Sequence, residues 1–147
     1  MAERLLLASV LLLAIAIIAV LVRYLLAHRA ATVAGSFIAD LLPELGQQPA
    51  VLYLSTPSCA TCRTAQAPAL ARVQAHLGPA LRVIAVNALE RPDIVARLGV
   101  MAVPATAVLD GSGRVHRVNY GYADAETLQR QIEPLLGDAT PELVPSE

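Results

Sequence analysis

From Leu5 to Val22 the chain reads LLLASVLLLAIAIIAVLV, 18 residues with no charge and Ser9 as the one polar side chain. As an α-helix this run would extend about 27 Å, close to the ~30 Å hydrocarbon core of a bilayer. No Gly or Pro interrupts it; Arg4 precedes it, and Arg23, Tyr24, His28 and Arg29 follow as interfacial anchors would. Leu25 and Leu26 extend the span if Arg23 snorkels. A buried core helix would carry an amphipathic stripe, and this run is apolar all round. A cleaved signal peptide usually has a shorter apolar stretch followed at once by a small-x-small site. Here arginines follow, and the first such site, Ala34-Gly35-Ser36, lies well beyond the end of the run. The expectation is an uncleaved, single-pass anchor in the cell membrane, residues 5–22 within an anchor-and-flank region 1–29. Its orientation stays open. Arg4 and the amino terminus oppose Arg23 and Arg29, a balance that leans toward a cytoplasmic C-terminal domain by one arginine and chooses no side.

The remaining residues suffice for one ordinary domain and not two. The chain of 147 residues is 56% hydrophobic and 3% aromatic, with a net charge of −1. Outside the apolar run about half of the residues are still hydrophobic, the level of a compact globular domain, so disorder is excluded. All 11 basic residues are arginines, scattered without a run or stripe, which argues against a nucleic-acid surface. Two cysteines supply neither a disulfide framework nor a four-cysteine zinc site.

Residues 30–36 (AATVAGS) suit a short tether. Phe37, Ile38, Leu41, Leu42 and Leu45 recur at helical spacing, and Pro43 predicts a kink or an early end. Ala50–Leu54 is the size of a buried strand; STPSCATC then leads into a helix through about His76, closed by Gly78-Pro79. A second buried strand follows at Leu81–Val86, and a short helix at Pro92–Leu98 with Gly99 past its end. Pro104 precedes a third strand, ATAVL; Asp110-Gly111-Ser112-Gly113 makes a hairpin turn into a fourth, Arg114–Asn119. Asp124 can cap a last helix with Leu128, Ile132 and Leu135 on one face. The order α-β-α-β-α-β-β-α predicts an α/β domain over residues 37–137, parallel strands joined by helices and then a hairpin, with helices on both faces. Residues 138–147, with three acids, two prolines and no base, read as a flexible acidic tail.

Cys59-Ala60-Thr61-Cys62 stands where a strand ends and a helix begins. There the unpaired N–H groups and the helix dipole favour the thiolate of the first cysteine, and Arg63 adds a positive charge. A pKa lowered from about 8.5 to about 7 would raise the thiolate fraction at neutral pH from roughly 3% to roughly 50%. Cys62, one turn inside, is placed to resolve a mixed disulfide formed by Cys59. Three other readings compete. A metal site would need two further ligands, and His28, His76 and His116 have no paired spacing. A structural disulfide at this spacing would close almost no loop, and two unrelated buried cysteines would explain the burial without the chemistry.

On these residues the chain resembles the thioredoxin-like superfamily over about Phe37 to Leu136. The resemblance rests on the strand-CxxC-helix at Val51–His76, on Val103-Pro104-Ala105-Thr106 opening a strand, and on Gly121 after the hairpin. It implies that Pro104 is the family's cis-proline and that Val103 offers backbone hydrogen bonds to a substrate peptide. The chain also departs from the family pattern. It has no Trp beside the cysteines, and Tyr53 stands where the family carries a buried acid; Tyr53 is expected to serve core packing rather than catalysis. Pro68 lies one place later than the proline that kinks the family's active-site helix, and the family's first strand is weak or absent before Phe37. An anchor followed by STPSCATC looks more like membrane-tethered thioredoxin-like proteins, including those of the methylamine-utilisation accessory type, than like soluble thioredoxin.

The implied function is a membrane-tethered thiol–disulfide oxidoreductase with Cys59 as nucleophile, Cys62 as resolving thiol, and Val103 and Pro104 binding substrate. Its partners would be protein thiols or disulfides and an electron donor or acceptor, with no cofactor, resident metal or nucleic acid. The alternative is a thioredoxin-like binding or assembly module, or a carrier delivering a soft metal such as Cu(I), that needs no redox turnover.

Overall fold

A computed structural model describes residues 11–25, 34–42 and 45–137. The expected beginning of the apolar span (5–10), most of the tether (30–33), Pro43 and the acidic tail (138–147) lie outside the described residues. The chain divides into two compact units, Met1–Thr32 and Val33–Glu147.

In the first unit residues 11–25 form helix α1. Its apolar side chains are exposed all round, Leu12 and Val20 at 67% each. Among the described residues no helix is long and apolar enough to cross a membrane.

In the second unit four strands form one mixed sheet: β1 (Ala50–Ser55), β2 (Arg82–Asn87), β3 (Ala105–Leu109) and β4 (Val115–Tyr120), in the order β2-β1-β3-β4. β1 and β2 run parallel, with Leu52 opposite Ile84, whereas β3 is antiparallel to both β1 and β4. The expectation of parallel strands before the hairpin therefore holds for one pair alone. The link through helix α3 (Pro92–Arg97) brings the chain back to the end of the sheet it had just left, so β3 starts where β1 stops.

The period-2 alternation of the strands sorts their side chains onto two faces. Ala50, Leu52 and Leu54 of β1 join Ala105, Ala107 and Leu109 of β3 in a core completed by Ile94 and Leu98 near α3 and by Ile38, Leu42 and Leu45. Val51 and Val108 face the other way, against Leu70 and Val73 of helix α2 (Ala67–Leu77) and Leu128, Ile132 and Leu135 of helix α4 (Ala125–Leu136). Asp124 caps α4, its side chain accepting the Thr127 N–H at 2.7 Å. Gly78, at φ +57°, ends α2 in the left-handed region that a side chain resists.

Over the described residues of 37–45, the expected helix is not what forms. Backbone groups of Gly35–Ile38 pair instead with the start of β4: Gly35 N donates to Val115 O at 2.6 Å, Val115 N to Ser36 O at 2.8 Å, and Ile38 N to Gly113 O at 3.1 Å. Among the described residues of this segment one 3-10 turn, Ala39–Leu41, remains. The helical spacing of Ile38, Leu42 and Leu45 identifies buried residues correctly, but strand pairing takes the backbone through Ile38, and Leu42 and Leu45 follow in short turns; Phe37 itself is 55% exposed. Gly113 permits this packing, since a Cβ there would come within 2.6 Å of Ala39 Cβ.

Candidate active site

Both cysteines lie at the end of the sheet where β1 runs out. Ser55 ends the strand, a turn closes with Cys59 N donating to Thr56 O at 3.1 Å, and helical residues begin at Ala60. Cys59 thus occupies the cap position of a helix that continues into α2. Its Sγ accepts the backbone N–H of Cys62 at 3.1 Å, the bond a capping side chain normally takes from the third helical residue. The two cysteines are joined as a disulfide, Cα to Cα 5.3 Å. Cys59 is half-buried and Cys62 buried, so an approaching partner meets Cys59 first. Arg63 folds back to donate to the Pro57 carbonyl, which keeps its guanidinium beside the loop that presents Cys59.

Between Cys62 and Gln66 the helix widens into a π turn, with Ala67 N–H bonding the Cys62 carbonyl. A π turn is a one-residue expansion of an α-helix and recurs at functional sites. Gln66, in the same turn, is wholly buried: its Nε2 donates to Ala123 O at 3.0 Å, and its Oε1 accepts Ala123 N–H at 2.9 Å. This pair ties the cysteine-bearing helix to the segment between β4 and α4. Sequence reasoning missed it, although one signal was present, a polar residue within the otherwise apolar stripe of Cys62, Ala69, Leu70 and Val73.

The Val103–Pro104 peptide bond is cis. Because Leu54 pairs with Ala105, antiparallel register brings Pro104 level with Ser55, at the end of the sheet that carries the cysteines. The Pro104 carbonyl accepts the Gly121 N–H at 3.0 Å, and half-buried Val103 packs against the α3-side core.

Tyr53 packs against the α2-face core, as expected, and also makes a polar contact that the sequence did not announce. Alternation along β1 turns it to the α2 face, where its hydroxyl donates to the Cys62 carbonyl at 2.7 Å. It lines an open cleft of roughly 530 Å³ with Cys62, Arg63, Ser55, Asn87 and Glu90. Burial raises its pKa above the usual tyrosine value, against smaller opposing effects of Ser55 and Arg63, so the phenol stays neutral and able to donate. It is therefore a site residue as well as a packing one. Among the described residues no group of three or more His, Cys, Asp or Glu is placed to hold a metal ion.

No protein-family model matches the chain, and no curated protein matches it. Solved structures do. The oxidised mitochondrial thioredoxin 3 of Saccharomyces cerevisiae is 21% identical with a TM-score of 0.55, covering 66% of this chain and 89% of its own. Fasciola hepatica thioredoxin is 20% identical at a TM-score of 0.54, covering 65% of this chain and 88% of its own. The protein dsbF of MTB, solved in mixed oxidised and reduced forms, is 26% identical at a TM-score of 0.52, covering 62% and 83%. The second unit of the chain has a thioredoxin-like α/β fold, and it carries a disulfide at CxxC spacing.

Proposed function

We propose that this chain is a membrane-tethered thiol–disulfide oxidoreductase acting on protein disulfides or thiols. The observation that carries the reading is the placement of Cys59: a half-buried sulfur at a helix cap, receiving the Cys62 N–H and paired with the buried Cys62. In the reduced chain a Cys59 thiolate would attack a partner disulfide, form a mixed disulfide and expel one partner thiolate. Cys62, deprotonated, would then attack Cys59 Sγ, closing the intramolecular disulfide and expelling the second partner thiolate. Two electrons pass to the partner, which takes up two protons while the chain releases two. The reverse sequence oxidises a partner dithiol. Val103 and Pro104, at the same end of the sheet, are the surface offered to the partner's backbone.

The uncharged run 5–22 and the exposed apolar side chains of residues 11–25 support a tether in the cell membrane. The side on which the cysteines stand fixes which donor or acceptor can reach them, and labelling of Cys59 by a membrane-impermeant thiol reagent in intact cells decides it.

A Cys62→Ser chain tests the reaction. It should accumulate covalent adducts with partner proteins that are released by dithiothreitol and lost when Cys59 is also replaced. If no mixed disulfide forms, the oxidoreductase reading fails.

A further inference from the structure

Both polar backbone groups of Cys62 are held from outside the regular helix pattern. Its N–H points at Cys59 Sγ, 3.1 Å away. Its carbonyl takes the Ala67 N–H across the π turn and, from the sheet side, the Tyr53 hydroxyl at 2.7 Å. In a regular α-helix that carbonyl would be bonded by the residue four places on and would need no support from a strand. Here the widened turn leaves it within reach of β1, and alternation along β1 supplies a hydroxyl at the right place.

From this geometry we infer that Tyr53 is a positioning residue: by holding the Cys62 carbonyl it aims the Cys62 N–H at Cys59 Sγ and so sets the reactivity of the nucleophile. The inference rests on the oxidoreductase reading for its biological meaning, and not for its test. An N–H directed at sulfur stabilises the thiolate more than the thiol, so a looser aim makes Cys59 harder to ionise. The other charged groups lining the cleft are Arg63 from the cysteine-bearing helix and Glu90 from the segment after β2. Neither contacts the Cys62 carbonyl, and both remain when Tyr53 is changed to Phe.

The experiment uses the full chain in detergent, with Cys62→Ser throughout so that a single thiol reports. The rate of Cys59 alkylation by iodoacetamide is followed between about pH 5 and pH 9, a range that brackets activated and ordinary thiols. Adding Tyr53→Phe should move the profile to higher pH and slow alkylation about threefold on its acid side, as a shift of about half a pKa unit requires. Asp124→Ala, which removes the cap of α4 and lowers the melting temperature without touching Cys62, should leave the profile in place. An unmoved or acid-shifted profile in the Tyr53→Phe chain, or an equal movement with Asp124→Ala, overturns the inference. Alkylation needs no partner protein. A moved profile without trapped partners would thus remove the proposed reaction alone, and trapped partners with an unmoved profile would remove the role of Tyr53 alone.

Discussion

At the scale of single residues, Gln66 has the largest leverage for the least visible role. Its side-chain amide is the hydrogen-bond partner of both the N–H and the carbonyl of Ala123, all of it away from water. Gln66→Ala strands two buried backbone groups and opens a gap in the helix–loop contact. Each stranded group costs about 1–3 kcal/mol, so the urea midpoint should fall markedly while the slope stays near that of the parent. Gln66→Glu should fall as well, because a carboxylate cannot donate to the Ala123 carbonyl and brings a charge into an apolar site. An unaltered midpoint in either variant would mean that water replaces the bracket without penalty. The cysteines and Pro104 were legible from residue type and neighbours, since few side chains have their chemistry. Gln66 and Tyr53 were not, because their roles depend on which face of a helix or strand meets which partner across the fold.

Individual elements were legible where local physics and tertiary packing agree, as in α4. Its Asp124 cap and its stripe of Leu128, Ile132 and Leu135 are both properties of the sequence that the packing keeps. Where they conflict, packing wins: Phe37 and Ile38, expected to begin a helix, pair instead with Arg114 and Gly113 at the entry to β4. The π turn was hidden for a related reason, since a one-residue expansion leaves no mark until the helix is seated. The β3–β4 hairpin shows an element whose signal in sequence, DGSG, understates its chemistry. Asp110 Oδ1 accepts from Ser112 N at 2.9 Å, Ser112 Oγ at 2.6 Å and Arg114 N at 3.1 Å, and Oδ2 meets His116 Nε2 at 2.8 Å. Burial pushes its pKa upward, but the bonds from Ser112, His116 and Arg114 outweigh this and hold it down at about 2. A carboxylate whose folded pKa lies below its unfolded value of about 3.9 stabilises the fold above that value. The contribution fades as pH falls through about 2. Asp110→Asn should therefore melt lower than the parent at neutral pH, with the gap between the two melting curves closing on acidification through that window. A gap that stays constant with pH would place the Asp110 effect in shape and not in charge.

For the whole molecule, strand direction is the step at which the expectation from sequence, parallel strands before the hairpin, fails for β3, and it decides at which end of the sheet Pro104 lies. A parallel β3 would have carried Val103 and Pro104 to the end of the sheet away from the cysteines. The antiparallel β3, entered from the end where β1 stops, brings them to the same end. The link between β2 and β3 holds one helix of six residues, Pro92–Arg97, a length that does not announce whether it crosses the sheet or returns. The two-unit division has a consequence that can be measured. All the described core residues belong to Val33–Glu147, and the cysteines, Tyr53, Val103 and Pro104 belong there as well. A chain of residues 33–147 should fold and give the same Cys59 alkylation profile as the parent. The full chain, with the apolar run 5–22, should stay with the membrane fraction through alkaline carbonate and leave it in detergent. The truncated chain should be found in the supernatant. If the full chain is also released by carbonate, the tether is withdrawn and the redox chemistry stands. If the truncated chain folds but loses Cys59 reactivity, the first unit contributes to the site and the division into anchor and reactive domain is wrong.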